Sequence, residues 1–164
     1  MKYIKTAWDD ELQGFFTDAR AYLAALPEFA EALPPGARAF ASDAEHYRRD
    51  AACCVKDLEL SEIRIATDKS GTLTLVFAPN QWKHETGLRI AYEGVVRFSV
   101  SYDHGIDWMR CDAVLLDEIL PADDGGCVHE IALTDATITV HARDLRADWE
   151  ATPGDVARGT GGPR

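Results

Sequence analysis

Residues 127–143 read Cys-Val-His-Glu-Ile-Ala-Leu-Thr-Asp-Ala-Thr-Ile-Thr-Val-His-Ala-Arg, and this run decides how the chain is read. It divides into two short strands about Thr134-Asp135-Ala136-Thr137. Placing Leu133 opposite Ile138 sets Ile131 against Val140 and His129 against Ala142. The same register puts Glu130 opposite His141 on the other face. Apolar side chains then line one face and polar ones the other, the period-2 pattern of a half-buried hairpin. The rest of the chain is expected to supply sheet and helices for that apolar face.

Upstream, the alternation continues. Residues 113–120 are apolar on both parities apart from Asp117 and Glu118, which suits an inner strand. Residues 88–102 form the longest alternating run. Leu88, Ile90, Tyr92, Val96, Phe98, Val100 and Tyr102 share one parity, and Gly94 interrupts it as a bend or a close backbone approach. The run reads as one long central strand or two in line. Asp68-Lys69-Ser70-Gly71 is a turn signal within a hairpin over 62–78. A parity change between Leu60 and Ile63 calls for a bulge near Ser61-Glu62, or for two strands.

Ahead of these strands, Trp8, Leu12, Phe15, Phe16, Ala19, Tyr22, Leu23 and Leu26 recur at helical spacing. Thr6 with Asp9 resembles a capping box, and Pro27 ends the run, so a helix is expected over 6–26 with its stripe in the core. A second, weaker helix is expected over 37–51, with Phe40, Ala44, Tyr47 and Ala51 inward and His46 in solvent. The reading is therefore an α+β domain over 1–149. Two N-terminal helices would pack on one face of a mostly antiparallel sheet of six or seven strands. Residues 150–164, with their Gly and Pro, read as a disordered tail.

The 164 residues hold 17 Lys plus Arg against 28 Asp plus Glu, a formal net charge of −11. Residues 103–150 carry −9 of it, with three Arg, no Lys and twelve acids. Such a surface repels phosphate backbones, which argues against nucleic acid, and attracts a basic protein. Asp117, Asp123, Asp124 and Glu130 are the candidate acidic binding face. No apolar run is long enough to span a membrane. The opening Met-Lys-Tyr-Ile-Lys-Thr has no leader pattern, so a cytoplasmic location is expected, with Cys53, Cys54, Cys111 and Cys127 reduced.

Five His and four Cys raise the question of a metal. No pair has the spacing His-x-x-x-His or Cys-x-x-Cys, and the loop 103–107 lacks the ligand density of a calcium loop. Neither a metal nor a cofactor is expected. A Gly-x-Ser-x-Gly elbow and a glycine-rich phosphate loop are both lacking. His129, beside the small Ala142, is expected to be buried and paired. With Tyr92 and Tyr102 it marks a possible pocket between the first helix and the sheet.

The succession Cys-Asp-Ala-Val-Leu-Leu-Asp-Glu-Ile (111–119), Val-His-Glu-Ile-Ala-Leu (128–133) and Ile-Thr-Val-His-Ala-Arg-Asp-Leu (138–145) resembles small bacterial domains of uncharacterised function. Some acidic proteins of this size and layout are immunity proteins that neutralise a toxin. The resemblance covers the C-terminal third and transfers no functional residue. It implies an acidic binding protein for a basic toxin. The alternative is a small enzyme or ligand-binding domain built on the pocket at Tyr92, Tyr102 and His129.

Overall fold

The computed structural model describes residues 1–102 and 113–150. Of these, about 47% are strand and 14% helix, which corrects the expectation of helices on one six- or seven-stranded sheet. The described residues form ten strands in three sheets, with two short α-helices.

The largest correction is at the N-terminus. Residues 6–18 are not helix but a hairpin of β1 (Lys5–Asp9) and β2 (Gly14–Asp18), a two-stranded sheet of its own. The Asp9 carboxylate accepts from the amides of Glu11 and Leu12, at 2.9 and 3.0 Å, so it shapes a turn rather than a helix start. Gln13 takes positive φ (49°) just before Gly14, and the chain reverses. Trp8 and Phe15 then face each other across the ladder as an edge-to-face pair at 5.3 Å. Helix begins only at α1 (Arg20–Phe29), which runs through Pro27, and α2 is confined to Pro35–Ala41. Residues 42–57 continue as successive turns, not as the expected helix over 37–51.

The remaining strands form two four-stranded antiparallel sheets. One runs β10 (Asp144–Glu150), β5 (Gly87–Glu93), β4 (Leu73–Ala78) and β3 (Glu59–Ile65). The other runs β6 (Arg97–Tyr102), β9 (Ala136–Ala142), β8 (Cys127–Leu133) and β7 (Val114–Pro121). The long run 88–102 is two strands that belong to different sheets. The break is at Gly94, whose φ of +60° is a backbone state that glycine adopts readily and where an added Cβ would meet Arg143. Arg143 donates its amide to the carbonyls of Glu93 and Gly94 as the partner ribbon β9–β10 crosses at the same point. One bent ribbon pair thus belongs to both sheets. On the other side, Leu58 and Val114 tie the sheets through Val114 N–H to Leu58 O, at 2.7 Å.

The opening hairpin has the expected faces but a register displaced by two. Ile131 pairs with Ile138 and His129 with Val140, because Thr134-Asp135 alone forms the connection and Ala136-Thr137 already belongs to β9. A shift of two preserves parity, so His129, Ile131, Ile138 and Val140 all stay inward. The bulge is where the parity change placed it, between Leu60 and Glu62. By contrast, β7 is an end strand of its sheet, not an inner one. It is still buried along Val114–Ile119, between the sheets on one side and α1 with the N-terminal segment on the other. Residues 103–112 and 151–164 lie outside the described residues, and with them Cys111, the loop 103–107 and nearly all of the expected tail. Glu150 itself closes β10.

Candidate functional site

The core between the two large sheets is apolar except for one chain of hydrogen bonds. Asp117 on β7 lies at its centre, 1% exposed. Its Oδ2 accepts from Nε2 of His129 on β8 at 2.8 Å, and its Oδ1 accepts from Nε2 of His46 at 2.7 Å. His129 Nδ1 meets the hydroxyl of Tyr92, on β5 of the opposite sheet, at 2.8 Å. His46 Nδ1 donates to the carbonyl of Phe40 at 2.9 Å. Tyr47 adds a hydroxyl bond to the Asp117 carbonyl, and Tyr22 on α1 one to that of Ile119.

Proton positions follow from donors and acceptors. Asp117 is held in its ionised form, so both ring nitrogens of His46 face groups that only accept, a carboxylate and a carbonyl, and both carry hydrogen. His46 is therefore an imidazolium, and Asp117 is its buried counter-ion. At His129, Nε2 lies against the Asp117 carboxylate and Nδ1 against the Tyr92 hydroxyl, so both ring nitrogens have partners. Burial pulls the His46 pKa down, but the charge of Asp117 and the two accepting bonds outweigh it and leave it raised. Burial pushes Asp117 up; the His46 charge and the N–H bonds from both rings outweigh that and hold it well below the usual carboxylate range. Desolvation, with the nearby Asp117 charge, raises Tyr47 and Tyr92 well above the usual phenol value.

These groups could pass for catalytic machinery, yet the site is sealed. His46 is 1% exposed and His129 0%, and Tyr92 is fully covered. A cavity beside Asp117, lined by Val55, Leu58, Phe77, Leu88, Ile90, Val114 and Ile131, holds about 10 Å³. That is room for at most one water. Each histidine nitrogen is already bonded, and no group of His, Cys, Asp and Glu among the described residues converges as metal ligands. Cys127 is likewise buried, its thiol pushed up to about 12 by desolvation and by the charges of Asp144 and Asp124.

The expected acidic face is distributed quite differently. Asp117 points into the core and offers no surface. Glu130 is half-buried and pairs with the amino group of Met1 at 2.8 Å. Asp124 is exposed but bonds His141 and the Gly126 amide, while Asp123 is exposed. The neighbouring Glu118 also turns inward, accepting from the amides of Lys2, Tyr3 and Ile4 at 2.6–2.8 Å. Of the expected pocket, Tyr92 and His129 do meet, whereas Tyr102 lies apart at the exposed end of β6. His46, expected in solvent, is the member that sequence reasoning missed. Its partner is 71 positions away, and only its closeness to Tyr47 and Phe40 hinted at burial.

Among the described residues, three exposed large apolar side chains share the N-terminal hairpin, while Leu23, Ile65, Trp82, Val96 and Tyr102 are exposed elsewhere. Trp8 is 52% exposed, Leu12 71% and Phe16 43%, with Asp10 and Glu11 at the exposed tip between the first two. Trp8 and Phe15 line a groove of about 490 Å³ with Tyr102 and the β8–β9 turn. Phe16 and Leu23 line another of about 470 Å³ with Tyr47 and Arg49. No protein-family model and no curated protein matches the chain. No helix among the described residues is long and apolar enough to cross a membrane.

Proposed function

We propose that the chain is an acidic protein-binding domain of the immunity type, acting in the cytoplasm and covering a basic protein such as a toxin. The observation that carries this reading is the β1–β2 hairpin, a two-stranded sheet of its own, which sets the exposed Trp8, Leu12 and Phe16 beside Asp9, Asp10 and Glu11. Exposed aromatics amid charge are the usual anchors of a protein interface. The −11 net charge favours a basic partner and speeds encounter with it. Asp123 and Asp124, the exposed members of the expected acidic face, extend the same electrostatic preference. The enzyme alternative is weakened by the sealing of Tyr92, Asp117 and His129, which leaves a substrate no path to them.

The test starts from the gene beside this chain's own: a basic protein encoded there is the partner to be tried. Its affinity for the full chain is measured by calorimetry, then repeated with Trp8→Ala and Leu12→Ser. The variants are expected to weaken binding by about tenfold or more each, as anchor residues do. A neighbouring gene for metabolism rather than for a toxin, or variants that bind as the parent does, would overturn the reading.

A further inference from the structure

Residues 42–57 contain neither helix nor strand, yet they connect the buried ion pair to the exposed hairpin. At one end of this segment His46 is plugged between the carboxylate of Asp117 and the Phe40 carbonyl. Three residues on, Arg49 reaches the hairpin, and its Nη2 donates to the carbonyl of Thr17 at 2.6 Å and to its hydroxyl at 2.8 Å. Thr17 is the buried residue of β2, so this bond grips the hairpin on the side that faces the body. We propose that residues 42–57 are a proton-dependent strap: the imidazolium of His46 seats the segment on Asp117, and its Arg49 holds the β1–β2 hairpin in place.

The geometry dictates the response. A neutral His46 has one N–H, so one of its two contacts becomes a lone pair set against an acceptor's lone pair. Asp117 at the same time becomes a buried charge without a counter-ion, which is strongly unfavourable. The groups around the ring cannot compensate. From β7 it meets Asp117, while Glu118 is turned away to the N-terminal amides. From β8 and β5 come His129 and Tyr92, already bonded to Asp117 and to each other. From α1 comes Tyr22, committed to Ile119, and from the strap itself Tyr47, stacked on the ring at 4.1 Å, and Asp43, a further negative charge nearby. None of these offers His46 a hydrogen-bond donor in the present packing. Losing the proton therefore unseats the strap, and Arg49 loses its fixed position against Thr17. Adjacent Ala51, Cys54 and Val55 stay buried, which keeps the change local to the strap and hairpin.

This inference goes beyond the proposed function and needs no partner for its test. Histidine ring ¹⁵N spectra and amide hydrogen exchange, corrected for intrinsic rates, are recorded on the full chain from about pH 6 to about pH 9.5. Two protonated ring nitrogens are expected on His46 at the acid end. As one proton leaves, protection of the amides of residues 5–18 should fall by about tenfold or more, while that of β4 and β5 holds. Arg49→Ala should leave the hairpin poorly protected at every pH, with the His46 titration unchanged. The proposal is overturned by a singly protonated His46 at the acid end, or by one that keeps both protons throughout. It is equally overturned if hairpin protection stays flat across the titration, or if Arg49→Ala retains the parent's dependence.

Discussion

Replacing Asp117 with Asn keeps the side chain's shape and removes its charge. One of the two terminal atoms remains an acceptor and can satisfy one imidazole N–H. The other becomes an NH₂ directed at an N–H of the second ring. The charge-assisted bond lost there is worth about 1.5–3 kcal/mol. The imidazolium of His46 also loses its counter-ion, and breaking a buried pair from one side costs about 3–5 kcal/mol in all. With both side chains at most 2% exposed, solvent cannot screen this loss.

The pH profile separates this account from a simple packing defect. Asp117 titrates below its unfolded value, so its contribution is present above about pH 4 and is lost as pH falls through the depressed folded value. His46 titrates above its unfolded value, so its contribution is complete below about pH 6.5 and is lost as pH rises through the raised folded value. The parent protein should therefore show a plateau between these limits and a decline on either side. In Asp117→Asn the alkaline decline should vanish. Burial alone then favours a neutral His46, so the variant gains stability as pH rises towards about 6.5 and levels off above it. Urea midpoints and slopes at several pH values read both effects. A loss within about 0.5 kcal/mol, the range of surface substitutions, or a variant that keeps the parent's alkaline decline, would refute the buried ion pair.

The two histidines of the β8–β9 hairpin should respond differently. His129→Gln leaves a buried partner unsatisfied and costs about 1–3 kcal/mol in urea unfolding. His141→Gln disturbs only an exposed contact with Asp124 and stays within about 0.5 kcal/mol. Phe16→Ala should cost no more than about 1 kcal/mol, since the residue is 43% exposed, whereas a fully buried Phe would cost about 3–5 kcal/mol. Gly36→Ala sets a Cβ into the Leu145 carbonyl and disturbs the Asp144 carboxylate that accepts from the amides of Gly36 and Ala37, so a loss of about 1–3 kcal/mol is expected in thermal or urea melts.

Alternation made β3 to β6, β8 and β9 legible as strands, including the bulge beside Ser61, and β7 was read from its apolar run on both parities. It could not tell which sheet a strand joins. Tyr92 and Phe98 share a parity in one run, yet a single glycine at positive φ sends them into different sheets. β10 was not among the expected strands, although Leu145, Ala147 and Trp149 alternate with Asp144, Arg146 and Asp148. The N-terminal hairpin misled for a physical reason. Its Trp8, Leu12, Phe15 and Phe16 satisfy a helical stripe, and Asp9 suits a helix start as well as an Asx turn. Gln13-Gly14 is a faint turn signal beside those two. Thr6, Trp8, Phe15, Phe16 and Thr17 are nonetheless residues that favour strands, and no core lay opposite to make them helical.

The polar chain in the core was illegible because its members come from four separate segments. Its presence asks for an explanation beyond stability, since well-packed apolar side chains often hold a core as firmly as a buried ion pair does. Geometry supplies one. Tyr92 and His129 stand on opposing sheets, and their bond at 2.8 Å forms only when the sheets are correctly placed along each other. Asp117 adds β7 to that constraint, and His46 adds a segment that has no ladder of its own to position it. A slip of one residue in β8 would turn His129 outward and orphan both Asp117 and Tyr92. Apolar contacts between the same strands would tolerate small sliding, whereas directional bonds to a buried charge do not. The ion pair thus specifies how three separately built pieces fit, and it makes the placement of the exposed hairpin depend on one buried proton.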